Sequence, residues 1–314
     1  MTRLILVGVA VATLGSAQSP LARASQDPPP VATFKSSIEL VRVSAVVRDK
    51  KGRFVPNLTA RDFEIIDAGV VRPIADFRRD DAGVSVGLLF DVSGSMEARM
   101  GHAREAATHV LSWLDADDDE VAVFTFDTNL DEIRGFTPGL RTLPEKLLSV
   151  KPFGATSLYD AIARTAEKVA KRDALRRAVI VFTDGLDTAS RLTASEVSGI
   201  ASSIDVPVYV VGLVSSIDDP AADTSLTTVE RSVLTGALSN LAYWTGGEVF
   251  IVSTAIDRGK MARRVVEELR HLYLIAFESG VAPGWHPLIV QMRDKGFSVR
   301  ARSGYIAGQS RPIS

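Results

Sequence analysis

Residues 84–90 are all apolar or glycine except Ser85, and the run stops abruptly at Asp91-Val92-Ser93-Gly94-Ser95-Met96. A seven-residue run of this kind followed by a turn reads as a strand buried on both faces. A helical pattern starts near Ala98, so the strand ends where Asp91, Ser93 and Ser95 begin. These alternate residues carry small oxygen groups away from the carboxyl end of the strand, on a turn eased by Gly94. In open α/β sheets the crevice beyond the strand carboxyl ends is where ligands sit. One carboxylate and two hydroxyls converging there suit a hard cation such as Mg²⁺. Taken alone, a helix N-cap with two serines and an aspartate is the commoner explanation. The rest of the chain has to decide between the two.

From residue 84 onward strands and helices alternate. Strands are expected at 84–90, 120–126, 177–183, 206–214 and 248–252, with an edge strand near 130–135. Helices are expected at 99–114, 143–150, 157–172, 194–204, 233–244 and 257–270. The stretch 177–183 is again nearly continuous apolar sequence. Residues 215–228 are polar and acidic and read as a surface insertion. This order predicts an α/β fold, a doubly wound parallel sheet of Rossmann-like type. Strands are also expected before it, at 38–48, 62–67 and 71–78, and after it, at 272–278, 288–293 and 297–302. The two groups can pair, which predicts a small β-sandwich-like domain built from both chain ends. The expected division is a signal peptide at 1–24, a linker at 25–33 and an N-terminal β segment at 34–82. An α/β domain follows at 83–271, then a C-terminal β segment at 272–308.

The N-terminus carries a positive start, Met1-Thr2-Arg3, an apolar core at 4–14 and the small residues Gly15-Ser16-Ala17; Ala22-Arg23-Ala24 is a second cleavage candidate. This is a secretory signal pattern, too short for an ordinary spanning helix. It predicts an exported protein, periplasmic or extracellular, with no integral membrane segment after signal removal. Among 314 residues there is no cysteine, so thiol catalysis and thiolate metal sites are excluded and the core must stabilise the fold unaided. The four histidines, His102, His109, His271 and His286, have no zinc spacing. A net charge of −2 gives no electrostatic case for nucleic acid or an acidic membrane surface. The basic pairs Lys171-Arg172 and Arg263-Arg264 read as solvated helix faces.

Two more stretches join the first. Residues 151–157, Lys-Pro-Phe-Gly-Ala-Thr-Ser, precede a helix, and Thr183-Asp184-Gly185 ends the buried strand at 177–183. Separately, Thr156 and Asp184 read as an N-cap and a loop acid. With Asp91, Ser93 and Ser95 they give three oxygen-bearing loops on one sheet edge, a joint pattern that favours a metal site. Asp187 could shape the surroundings of that site, although a surface loop acid is the simpler reading. Glu97 and Asp127 border the same edge without an assigned role. The acid-rich turn at 115–120 lacks the glycine and the terminal glutamate of a calcium loop.

These motifs carry a resemblance. The chain from about residue 84 to 269 resembles a von Willebrand factor type A domain: Asp91-Val92-Ser93-Gly94-Ser95 matches the family's DxSxS motif, Gly154-Ala155-Thr156 its threonine loop and Thr183-Asp184-Gly185 its aspartate loop. The flanks, residues 48–64 and 299–305, resemble a bacterial subgroup called VWFA-related, abundant in acidobacterial proteins. The resemblance implies a metal-ion-dependent adhesion site (MIDAS) holding Mg²⁺, with Mn²⁺ or Ca²⁺ as alternatives. Ser93, Ser95 and Thr156 would reach the ion through hydroxyls, and Asp91 and Asp184 would often act through water. Neutral direct ligands leave much of the cation's charge unneutralised, and an open position then attracts a carboxylate from another molecule. The implied function is a protein-binding, adhesion-type module and not an enzyme, its partner an unidentified protein presenting an acidic residue.

Two other functions are compatible with an oxygen-rich loop cluster. A metal-assisted hydrolase or phosphotransferase would use Asp91 or Ser93 as nucleophile. It would want a histidine beside the loops, a G-x-S-x-G elbow, a P-loop, or a second acid where Ser93 stands. A purely structural scaffold would bind metal only to stiffen its loops.

Overall fold

In the computed structural model the described residues are 40–79, 83–213, 236–280 and 282–308. The expected signal segment, linker and polar insertion at 215–228 lie outside them. Four strands come first: β1 (Leu40–Asp49), β2 (Phe63–Asp67), β3 (Val70–Arg72) and β4 (Ile74–Arg78). The single strand expected at 71–78 is two strands, broken at Pro73. Proline has no N–H to donate to a ladder, and the break lets β3 pair with β2 while β4 joins a different sheet.

The α/β body follows with β5 (Val84–Asp91), α1 (Met100–Trp113), β6 (Glu120–Phe126), β7 (Leu130–Pro138), α2 (Glu145–Ser149), α3 (Leu158–Ala170) and β8 (Arg176–Thr183). It continues with α4 (Ala194–Ser203), β9 (Val208–Leu213), α5 (Ala237–Thr245), β10 (Val249–Val252) and α6 (Ala255–Arg270). The strand order is β10-β9-β8-β5-β6-β7, parallel throughout except for the antiparallel edge strand β7. Every residue of β5 is buried. Val84, Val86, Leu88 and Phe90 face one core with α1 and α6; Leu89 faces the other with α3, α4 and α5. Each of these side chains contributes about 1.5–3 kcal/mol by leaving water. A β-carbon on Gly87 would lie 2.9 Å from Val169 and 3.1 Å from Thr165 of α3, so the missing side chain lets that helix sit close against the central strand.

The chain returns through β11 (Tyr273–Glu278), β12 (Gly284–Met292), β13 (Phe297–Ala301) and β14 (Gly304–Ala307). The short β14 was not expected. One terminal sheet has the order β13-β1-β11-β4 and the other β14-β12-β2-β3. Leu40 pairs with Glu278 and Ile66 with Ile289, so strands from both chain ends share each sheet. The sheets enclose one core, with Val43, Ala45, Ile275 and Phe277 from the first and Phe63, Ile65, Leu288 and Tyr305 from the second. The middle of β1 is buried on both faces: Val41, Val43, Ala45 and Val47 enter this core, whereas Val46 belongs to the core of the α/β body. Ser44 Oγ donates to Asp205 Oδ2 at 3.0 Å, and Arg48 reaches the fully buried Glu268 at 2.5 Å, fixing the β layer to the α/β body.

Candidate metal centre

The site is set by register. Parallel pairing puts Phe90 beside Phe182 on one side and Asp91 beside Phe126 on the other. From β5 the chain moves to β6 on one flank and later to β8 on the other, so the β5/β8 boundary is where the winding reverses. At such a boundary the loops part and leave a crevice. Asp91 ends β5 at this boundary, and Thr183 ends β8 with Asp184 directly after it.

Asp91 is fully buried and its two oxygens are both engaged. Oδ1 accepts from the Ser93 N–H at 2.9 Å, and Oδ2 accepts from Thr183 Oγ1 at 2.7 Å. Burial pushes its carboxyl up to about 6; hydrogen bonds from Ser93 and Thr183 oppose the rise, and the neighbouring charge of Asp184 adds to it. Ser93 and Ser95 bring their hydroxyls within 3.2 Å of each other, Ser93 buried and Ser95 exposed. The first loop turns through a short 3₁₀ segment, Gly94–Met96, and only then enters α1. No side chain of the loop caps either element, so the N-cap reading of these serines is set aside.

The second loop is stitched to the first by backbone. The Phe153 N–H donates to Val92 O at 2.8 Å and the Gly94 N–H to Gly154 O at 3.1 Å. Gly154 has φ +90°, a left-handed turn that costs glycine little and other residues more. Thr156 is buried, and the cap of α3 is Ser157, not Thr156. The Ser157 N–H reaches back to Asp127 O at 2.7 Å; Asp127 uses its own carboxylate to shape its turn, accepting from the Asn129 N–H.

The third loop closes over the second. The Thr188 and Ala189 N–H groups both donate to Thr156 O at 2.9 Å, and the Thr156 N–H donates to Thr188 Oγ1 at 3.0 Å. Asp187 Oδ1 accepts from the Leu158 N–H at 2.8 Å and from Ser190 Oγ at 2.6 Å. Asp187 is thus neither a free loop acid nor part of the oxygen cluster: it caps α3 from a neighbouring loop. Asp184 is buried, with Oδ1 accepting from the Leu186 N–H at 3.2 Å and Oδ2 lying 3.3 Å from Arg99 Nη1. Glu97 is exposed at the end of the 3₁₀ turn.

Five residues singled out from sequence, Asp91, Ser93, Ser95, Thr156 and Asp184, therefore stand on three loops that hydrogen-bond to one another at one sheet edge. Sequence reasoning missed the roles of Thr183, Thr188, Ser190 and Arg99. Thr183 sat inside a quoted motif, but the other three act across loops and leave no local signal. Among the described residues no three of His, Cys, Asp and Glu gather into a metal-binding group. A cation here would rest on two carboxylates and three hydroxyls, an all-oxygen set that fits Mg²⁺, Mn²⁺ or Ca²⁺ and does not fit a soft ion.

The family model of the von Willebrand factor type A domain matches residues 86–186, which include all five of these positions. Among solved structures, an aerotolerance-related membrane protein from Bacteroides fragilis is 18% identical with a TM-score of 0.48, over 60% of this chain and 98% of that one. A von Willebrand factor type A protein from Catenulispora acidiphila is 14% identical with a TM-score of 0.48, over 87% of this chain and 75% of that one. Proximal thread matrix protein 1 from the mussel byssus, with a zinc-occupied MIDAS motif, is 18% identical with a TM-score of 0.47, over 65% of this chain and 49% of that one. No curated protein matches the chain at a significant level. No helix among the described residues is long and apolar enough to cross a membrane.

Proposed function

We propose that this chain is an exported protein-binding module whose contact face is a divalent-cation site, with Mg²⁺ as the working ion. The observation that carries the reading is the convergence of Asp91, Ser93, Ser95, Thr156 and Asp184 on three mutually bonded loops at the β5/β8 winding reversal, within the stretch that matches the von Willebrand factor type A model. When bound, the cation supplies an incompletely neutralised positive charge that a partner's carboxylate can complete. The chain's own residues hold the donors in place. Thr183 orients Asp91, the backbone of Val92 and Gly94 fixes the second loop, and Thr188 clamps Thr156.

Phe153 stands beside the cluster with 83% of its surface exposed, although its own N–H is bound to Val92 of the first loop. An aromatic ring held in the open next to a charged site is an apolar anchor for a partner that presents an acidic residue with an apolar neighbour. None of the five residues is a histidine that could serve as a general base to Ser93, which supports binding over turnover. The signal pattern at residues 1–24 supports export. The β strands on both sides of the α/β body support membership of the VWFA-related bacterial subgroup.

The test is affinity capture from envelope and culture fractions with immobilised protein, in Mg²⁺ and in chelator, beside an Asp91→Ala control. A partner retained in Mg²⁺, released by chelator and absent from the control supports the reading. Capture that ignores both chelator and variant contradicts it.

A further inference from the structure

Arg99 lies just before α1 and its side chain is only 12% exposed. Its Nη1 donates to Ser95 O at 3.0 Å and lies 3.3 Å from Asp184 Oδ2. The guanidinium therefore bridges the first and third loops inside the oxygen cluster, on one of its two carboxylates. Guanidinium keeps its charge at every pH a protein tolerates. From this geometry we infer that Arg99 is a tethered cation that competes with the divalent ion for Asp184 and sets a weak, exchangeable metal affinity. The inference rests on the divalent-cation reading of this site.

The chemistry gives it two consequences. Without a divalent ion, two buried carboxylates, Asp91 and Asp184, stand near each other, and burying such charge uncompensated is costly. Arg99 sets a positive charge against Asp184 and ties it to the Ser95 turn, so the loops stay joined in the metal-free protein. A divalent ion drawn to Asp184 would meet the guanidinium's like charge close by, in a largely buried setting where repulsion is poorly screened. Arg99 thus stabilises the metal-free form and opposes the loaded one. A residue that only braced Asp184 for the metal would do the opposite to affinity.

Calorimetric titration of the full chain with Mg²⁺ alone separates these roles. Arg99→Gln, which keeps a donor but removes the charge, is expected to bind Mg²⁺ roughly 3- to 10-fold tighter, the scale of one partly screened charge pair. Arg99→Lys, which keeps the charge, should stay close to wild type, and Arg99→Met should follow Arg99→Gln. In chelator the two neutral variants should melt below wild type, and the gap should narrow in saturating Mg²⁺. Equal or weaker Mg²⁺ binding by both neutral variants, with wild-type binding intact and abolished by Asp91→Ala, overturns the role of Arg99 alone. No Mg²⁺ uptake by wild type or any Arg99 variant overturns the cation reading itself.

Discussion

The hydroxyl of Thr183 donates to Asp91 Oδ2 at 2.7 Å across two neighbouring parallel strands, and both residues are fully buried. The bond follows from register: Phe90 opposite Phe182 leaves the next residues of β5 and β8 side by side where the strands part. Thr183 Oγ1 also accepts from the Gly185 N–H at 3.0 Å, so one side chain ties Asp91 to the turn after β8. Thr183→Val keeps the shape and removes the hydroxyl, leaving Asp91 and the Gly185 N–H each short of a partner. It should cost about 1–3 kcal/mol in urea unfolding and weaken Mg²⁺ binding in the same protein. A variant as stable as wild type would show that the bond contributes nothing net.

The strand of the site and the oxygen-bearing residues gathered at its end were legible because they are local. An unbroken apolar run, a turn with oxygen side chains at alternate positions, and a second such run are properties of a few consecutive residues. Strand β6 was read at its observed bounds, and α4 to within one residue. What was illegible depends on distance in sequence. Arg99 meets Asp184 across 85 positions and Asp187 caps a helix 29 positions earlier, so neither role has a periodic or motif signature. The split at Pro73 was visible in principle, since a proline inside a strand pattern demotes it. Strand β14 is only four residues long, and its first, Gly304, lies under the Trp285 ring, where a β-carbon would come within 2.1 Å. That packing exists only after β12 and β14 pair.

In the terminal β layer, His286 has both ring nitrogens on acceptors: Nε2 lies 2.7 Å from Ala282 O and Nδ1 2.8 Å from Asp67 Oδ1. A carbonyl can only accept, so the arrangement favours the doubly protonated ring facing an ionised Asp67. Burial alone would lower the His286 value, but the Ala282 and Asp67 contacts win and raise it above its ordinary 6.5. Burial would raise Asp67, but bonds from His286 and Tyr305 hold it below its ordinary 3.8. The raised histidine contributes stability that is complete below 6.5 and fades as pH rises through its folded value. The lowered aspartate contributes stability that is complete above 3.8 and fades as pH falls through its folded value. The two contributions coincide between these ordinary values. Thermal unfolding of wild type against His286→Phe should therefore differ most near pH 5 and converge as the medium becomes alkaline. A constant difference across that range would contradict the charged pair.

Glu268 is fully buried and lies within ion-pair reach of Arg48, Arg264 and Arg300, which joins β1 and β13 to the last helix of the α/β body. Glu268→Ala removes the acid and leaves Arg48 and Arg300 facing each other without it. The expected loss is about 3–5 kcal/mol, seen in chemical denaturation. A loss under about 1 kcal/mol would show that this ion cluster contributes little to the union of the two layers.

Phe153 is packed against little, so Phe153→Ala should leave stability within about 0.5 kcal/mol of wild type and leave Mg²⁺ affinity unchanged. Its binding to the captured partner should fall by roughly tenfold, the loss of one interface anchor. Surface plasmon resonance in constant Mg²⁺ reads this, and unaltered partner binding would remove Phe153 from the contact face.

In the proposed function, Asp91, Ser93, Ser95, Thr156 and Asp184 bind a divalent cation. Calorimetric titration of the full chain with Mg²⁺, beside Asp91→Ala and Thr156→Ala checked for fold by circular dichroism, tests it most directly. Saturable Mg²⁺ uptake by wild type, lost or strongly weakened in both folded variants, is the predicted result. Mg²⁺ affinity unchanged in both variants would contradict it.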